Sequence, residues 1–125
     1  MDVCEATKKV LSLNGWDAEL KRLDQFTGHE GICLRRVVPE TARSYMDVTR
    51  TVLAQVVVYV VNRSERTAME TCDAIAAYLS DRPVPSLDGS YRWTATRIYT
   101  EPQELVLDDG GFYTWVTRVE IEAEL

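Results

Sequence analysis

The feature that most constrains this chain is the segment 49–61, a long run of mostly β-branched residues that is apolar on both alternating faces. One face carries Val52, Ala54, Val56, Val58 and Val60, and the other carries Leu53, Gln55, Val57, Tyr59 and Val61. Because successive side chains of a strand point to opposite faces, the pattern predicts a central strand that is covered on both sides.

The length of the chain limits how that cover can be built. The 125 residues are enough for one hydrophobic core, and hydrophobic residues make up an ordinary 46%. A domain this small, with few helices, has difficulty covering both faces of a sheet by itself. We therefore expect a single α+β domain over residues 1–125, with another subunit contributing the second cover.

Two segments have the spacing of apolar residues that is typical of helices. Residues 2–13 predict a helix that Asp2 can cap and that the Asn14-Gly15 pair ends. Residues 65–80 predict a clearer helix, with Ser64 as its N-cap. Its narrow apolar stripe is made mostly of small residues, which let a helix lie close to a sheet. The stripe consists of Ala68, Cys72, Ile75, Ala76 and Leu79.

The other periodic segments predict strands. They are residues 32–38, which end at Pro39; residues 90–100, which Pro102 interrupts; residues 105–107; and residues 112–124, after an Asp-Asp-Gly-Gly turn. Residues 16–31 fit either a helical stripe or a long loop. The order of the segments indicates a mixed or antiparallel sheet with two helices packed on one face.

The last strand alternates cleanly between its two faces. One face carries Tyr113, Trp115, Val119, Ile121, Ala123 and Leu125. The other carries Thr114, Val116, Arg118, Glu120, Glu122 and Glu124. We expect the first face to contact the core and the second to contact solvent or a charged partner.

The formal net charge of -6 comes from the last quarter of the chain. Residues 1–100 contain 13 acidic and 13 basic side chains, whereas residues 101–125 contain seven acids and Arg118 alone. An acidic surface repels phosphate backbones, so we expect no direct nucleic-acid binding. Of the 14 basic residues 11 are arginine, the cation that suits protein interfaces.

No pattern typical of catalysis or metal binding is present in the sequence. Cys4, Cys33 and Cys72 lack Cys-x-x-Cys spacing, and the single histidine, His29, has no recognisable co-ligands. The N-terminus is acidic where a signal peptide is basic, and the longest apolar run, 56–61, is far too short to span a bilayer. We therefore expect no enzyme activity, no cofactor and no membrane association.

The chain resembles the tail terminator and minor tail or capsid proteins of long-tailed bacteriophages. The resemblance covers most of the sequence: a short N-terminal helix, Gly-Ile-Cys-Leu-Arg-Arg-Val-Val at 31–38, the long strand at 49–61, Ser-Glu-Arg-Thr-Ala at 64–68 opening a small-residue helix, and Gly-Gly-Phe-Tyr-Thr-Trp-Val-Thr-Arg-Val-Glu-Ile-Glu at 110–122. None of these segments contains a catalytic signature.

The resemblance implies a structural protein of the virion, assembled in the host cytoplasm and located at the junction of tail and neck. Such proteins form a ring, typically a hexamer, on the head-proximal end of the tail tube. They stop tube polymerisation, contact the tube protein and the head–tail connector, and have no cofactor. Two alternatives stay open: a neck, connector or other minor tail subunit, and a small ferredoxin-like ligand-binding domain.

The family has no short motif from which interface residues can be transferred, so the candidates come from the pattern alone. An arginine-bearing flank and an acidic strand face would give a ring two complementary sides. Arg35 and Arg36 point to opposite faces of their strand and fit either a subunit contact or a solvated, edge-guarding pair. The candidate subunit-interface residues are Arg35, Arg36, Arg43, Tyr45, Glu120, Glu122 and Glu124.

Overall fold

A computed structural model describes residues 2–20, 30–37, 51–105 and 111–124. Two helices, α1 (Val3–Ser12) and α2 (Glu65–Leu79), accompany one five-stranded sheet. Its strands are β1 (Ala18–Glu19), β2 (Gly31–Val37), β3 (Thr51–Asn62), β4 (Arg92–Leu105) and β5 (Tyr113–Glu124), in the spatial order β1-β2-β3-β5-β4. Residues 21–29 of the ambiguous segment, which include His29, lie outside the described residues, as do Pro39, Arg43, Tyr45 and Leu125.

The pairing of the strands confirms the predicted α+β fold. The pairs β2–β3, β3–β5 and β5–β4 are antiparallel. The pair β1–β2 is parallel, so the sheet is mixed. The segment that fitted either a helix or a loop contains β1, which the prediction missed. Two residues are too few to show the alternation by which strands are recognised in a sequence.

Helix α1 ends as predicted but begins differently. At its C-terminal end Gly15 adopts a positive φ of 87°, and the Trp16 N–H donates a hydrogen bond to the Leu11 carbonyl, a turn that favours glycine. The predicted side-chain cap by Asp2 is wrong. Its carboxylate instead accepts hydrogen bonds from Ser86 Oγ and the Leu87 N–H, both at 2.7 Å.

Helix α2 confirms both the predicted cap and the predicted stripe. The Thr67 N–H donates a 3.3 Å hydrogen bond to Ser64 Oγ, which satisfies one of the free donors of the first turn. All five stripe residues are buried against β3, β4 and β5. Small side chains such as Ala68 and Ala76 therefore place α2 close to the sheet.

Strand β4 corrects the prediction that Pro102 separates two strands. The pairing with β5 continues through Pro102 to Leu105, with register shifts at three places. Because β4 lies at an edge of the sheet, a proline that lacks an N–H donor is tolerated there, and bulges are common. Pro102, which interrupts the alternation in the sequence, therefore marks an irregular stretch of β4 and not its end.

Helix α1 contacts β1, β2 and β3, and helix α2 contacts β3, β5 and β4, so the two helices share β3. They pack on one side of the sheet, which we call the helix-covered face. The core there includes Val56, Val58, Val119 and Ile121 together with residues of both helices. On the opposite face, the side chains of Val57 and Val61 are only 2% and 1% exposed in the single chain. The expectation that another subunit covers this face is therefore wrong for the middle of β3.

The register of the strands explains how the opposite face is covered at Val57. This residue lies between Arg35 on β2 and Arg118 on β5. The aliphatic part of an arginine side chain shields neighbouring apolar surface while its guanidinium stays in contact with water. A second, smaller cluster on this side consists of Cys33 and Val61 with Tyr59 and Phe112 packed against them.

Candidate subunit interface

The three glutamates of β5 all lie on the opposite face, where arginines of the neighbouring strand β4 meet them. Nη1 of Arg97 lies 3.4 Å from Oε1 of Glu120, and Nη2 of Arg97 lies 3.6 Å from Oε1 of Glu122. Arg92 forms an ion pair with Glu124. The alternation predicted that this face contacts solvent or a charged partner, and in the structure its glutamates form ion pairs with arginines of the same chain. Because β5 is the fourth of five strands, the acidic row is also inside the sheet rather than at an edge.

Arg92 and Arg97 are partners of the acidic row that the sequence pattern missed, for a geometric reason. They are five residues apart, so strict alternation would place them on opposite faces of β4. A register shift between Trp93 and Ala95 inserts one extra residue and returns both arginines to the face of the glutamates. Since no local sequence signal marks this bulge, only the three-dimensional pairing reveals the contact.

Arg118 extends the polar network across the same face. Its Nη1 donates a 3.4 Å hydrogen bond to Oε1 of the buried Gln55. Its guanidinium carbon also lies 5.9 Å from the centre of the Tyr99 ring, within the range of a cation–π contact. The network therefore links β3, β5 and β4 through charged and amide groups.

The two adjacent arginines of β2 lie on different faces, as their spacing predicted. Arg35 pairs with Val57 and shares the opposite face with the acidic row, whereas Arg36 pairs with Val56 on the helix side. Both side chains are exposed, and neither forms an ion pair within the part of the chain that the structure describes. Arg43 and Tyr45, the other basic-flank candidates, lie outside that part.

Two surface cavities border helix α2. One of about 300 Å³ lies between the end of α1 and the segment after α2, and is lined by Lys9, Val10, Leu13, Tyr78, Arg82, Pro83 and Leu87, among others. The other, of about 230 Å³, lies between α2 and β4 and is lined by Asp73, Ala76, Ala77, Ser80, Ile98, Glu101 and Pro102. Neither combines a nucleophile with a base.

The cysteine side chains that could act as nucleophiles are poorly activated. Burial raises the pKa of Cys4 to about 11, against a smaller opposing effect of Arg36, and raises the pKa of Cys72 to about 12. Both are therefore protonated thiols at neutral pH. Among residues 2–20, 30–37, 51–105 and 111–124, no group of three or more histidine, cysteine or carboxylate side chains could hold a metal ion.

Neither helix in the described ranges is long and apolar enough to cross a bilayer. The described surface carries ion pairs, exposed arginines and the two cavities. Such features are typical of contacts between proteins.

Comparison with known proteins gives one clear match. A family model described as bacteriophage tail terminator protein matches residues 20–125. The matched region contains helix α2, every candidate interface residue and strands β2 to β5. Only the two residues of β1, Ala18 and Glu19, are missing from the matched part of the sheet. No protein with curated annotation matches the chain. Since the match extends over far more than half of the sequence, the chain belongs to the bacteriophage tail terminator protein family.

Proposed function

We propose that this chain forms a homo-oligomeric ring, with a hexamer as the expected size, that ends the tail tube and joins it to the head connector. Membership of the family makes the protein a structural component of the phage tail that contacts other tail or head proteins. The ring, its position and its role in stopping polymerisation are the proposed part. The family match over residues 20–125 carries this proposal.

The shape of the sheet supports a ring. Rings are built from heterologous contacts, in which one side of a subunit meets a different side of the next. The two edge strands differ in the way this requires: β1 has two residues and borders the exposed arginines of β2, whereas β4 has 14 residues and exposed acidic side chains.

The role in the tail is tested in the phage that encodes this chain, by removing its gene. If the protein ends the tube, electron micrographs will show tails of uncontrolled length without attached heads, and supplying the chain from a plasmid will restore tails of uniform length. Gold-labelled antibody against a tagged chain should bind at the head-proximal end. Tails of normal length joined to heads after deletion would contradict the proposal.

The acidic row Glu120, Glu122 and Glu124 stays a proposed subunit contact. Charge reversal at Glu120 and Glu122 should then lower the oligomer mass measured by light scattering. The same change breaks the ion pairs with Arg97, so the triple variant that adds Arg97→Glu is the necessary control. An oligomer that is unchanged by the double reversal would refute a contact through this row.

A further inference from the structure

One end of strand β2 forms a basic edge of the sheet. Strand β1 pairs only with Ile32 and Cys33, so among the described strands none pairs with residues 34–37 on the outer side. Arg35 and Arg36 lie in this free stretch, exposed and on opposite faces. We call residues 34–37 the basic edge. Within the described part of the chain, its two arginine side chains are therefore exposed, one on each face of the sheet.

The far edge of the sheet has the opposite charge. In β4 the arginines of the first half already pair with the glutamates of β5. The second half, residues 99–105, carries Glu101 and Glu104, which are exposed and form no ion pair with any described residue. Tyr99, also in this half, is 59% exposed. We call residues 99–105 the acidic edge.

These observations point to a specific contact: we propose that the basic edge of one copy of this chain binds the acidic edge of the next. The two edges lie at opposite ends of the order β1-β2-β3-β5-β4, as a head-to-tail contact requires. They carry complementary charges, which steers the encounter and fixes the register. This inference rests on the proposed ring and names the surfaces that build it.

The faces of the two edges also match. In a closed ring every subunit turns its helices to the same side, so the helix side of one edge meets the helix side of the next. On that side Arg36 meets Glu101, which lines the cavity beside α2. On the other side Arg35 meets Tyr99, whose ring already lies near Arg118. The contact therefore combines an ion pair with an arginine–tyrosine stack.

The contact is made by side chains rather than by extension of the sheet. Register shifts occur in β4 between Ile98 and Thr100 and between Thr100 and Gln103, and Pro102 has no N–H to donate. Such irregularities prevent an edge from adding another strand. The acidic edge is therefore protected against open-ended strand pairing but still presents its carboxylates.

A charge-swap experiment on the full chain tests this proposal. Sedimentation equilibrium measures self-association of the wild type, Arg36→Glu, Glu101→Arg and the double variant. Each single variant places like charges together, so we expect its dissociation constant to rise about tenfold or more. The double variant restores opposite charges with the net charge of the wild type, and should associate within about threefold of it.

Lys9→Glu is the matched control, because it changes the net charge as Arg36→Glu does but lies at the cavity beside Tyr78. It should associate like the wild type. Unchanged single variants, a double variant as weak as the singles, or a wild type that stays monomeric up to about 1 mM, a concentration at which even weak pairs form, would overturn the edge contact.

The deletion experiment described above separates this inference from the proposed function. Over-long tails after deletion, together with a failed charge swap, would leave the role in the tail intact and reject only these edges. Normal tails after deletion would reject the role itself. A successful charge swap together with over-long tails would support both.

Discussion

Strand β3 is buried on both faces at its middle, yet the side chains that cover the two faces differ in kind. The helix-covered face is filled by aliphatic side chains such as Val58 and Ile121, held under α1 and α2. The opposite face surrounds Val57 with arginines, a buried glutamine and a row of ion pairs. Burial alone therefore does not show how a strand is stabilised, because shielding by flexible polar side chains and close apolar packing give similar exposed fractions.

This difference has a consequence for function. Apolar packing under two helices fixes the fold and leaves little of that face for a partner. The opposite face and the two edges carry the arginines and glutamates from which a protein interface can be made. We therefore expect stability to depend mainly on the helix-covered face, and recognition to depend mainly on the rest of the sheet.

The largest expected effect is on the helix-covered face. Ile75 is fully buried in α2, and Ile75→Ala should lower the free energy of unfolding by about 2–5 kcal/mol, because it removes packed methyl groups and leaves a cavity. Met69→Ala on the same helix, where the side chain is 36% exposed, is the control and should change it by less than about 1 kcal/mol. Urea denaturation measures both, and equal losses would break the comparison.

A smaller effect is expected at Asp2, which precedes α1 and connects it by hydrogen bonds to the segment after α2. Asp2→Asn weakens the hydrogen bonds that Asp2 accepts from Ser86 and from the Leu87 and Asp88 N–H groups. We expect the free energy of unfolding to fall by about 1 kcal/mol, since hydrogen bonds to a charged acceptor are stronger than those to a neutral acceptor. Thermal unfolding measures it, with Asp17→Asn as an exposed control. A variant as stable as the wild type would show that α1 needs no such anchor.

The hydrogen-bonded carboxylates of Asp2 and Asp88 should make stability depend on pH in the acid range. Burial would raise the pKa of Asp2, but hydrogen bonds from Ser86, Leu87 and Asp88 outweigh it and lower the pKa. Hydrogen bonds from Ser90 and Ser86 lower the pKa of Asp88 from 3.8 to about 2. Folded values below the unfolded ones stabilise the fold above about pH 4, and the contribution disappears as pH falls toward about 2. The double variant Asp2→Asn, Asp88→Asn should flatten this part of the stability curve.

The smallest expected effect is on the opposite face. Arg97→Ala removes ion pairs whose arginine is half exposed, so the loss should be about 0.5–1 kcal/mol and should shrink in salt. Measurements at low salt and in about 1 M NaCl check this. A loss comparable with that of Ile75→Ala would mean that the polar network is as important for folding as the apolar core.

The sequence predicted the elements whose period is regular and failed where the backbone departs from it. The stripe of α2 and the faces of β5 follow from spacing, because burial on one side imposes a strict period. The continuation of β4 through Pro102 and the convergence of Arg92 and Arg97 depend on bulges, which have no local signature. The role of Asp2 depends on a contact with Ser86, 84 residues away in the chain.

The candidate interface was predictable only in part, for a related reason. That Arg35 and Arg36 point to different faces follows from strand alternation, and that they lie beside a free edge follows only from the brevity of β1. The pairing of the acidic row with β4 required the register of two neighbouring strands. Alternation gives the face of a side chain, but it does not give its partner.

The two faces of the sheet are stabilised by different means, and adjacent residues of β3 allow a direct test of this difference. Val58 and Val57 are 0% and 2% exposed on opposite faces. Urea denaturation should show that Val58→Ala costs about 2–3 kcal/mol, and that Val57→Ala costs about 1 kcal/mol less, because arginine stems can close over the missing methyl groups. Equal costs, or a larger cost for Val57→Ala, would contradict the account.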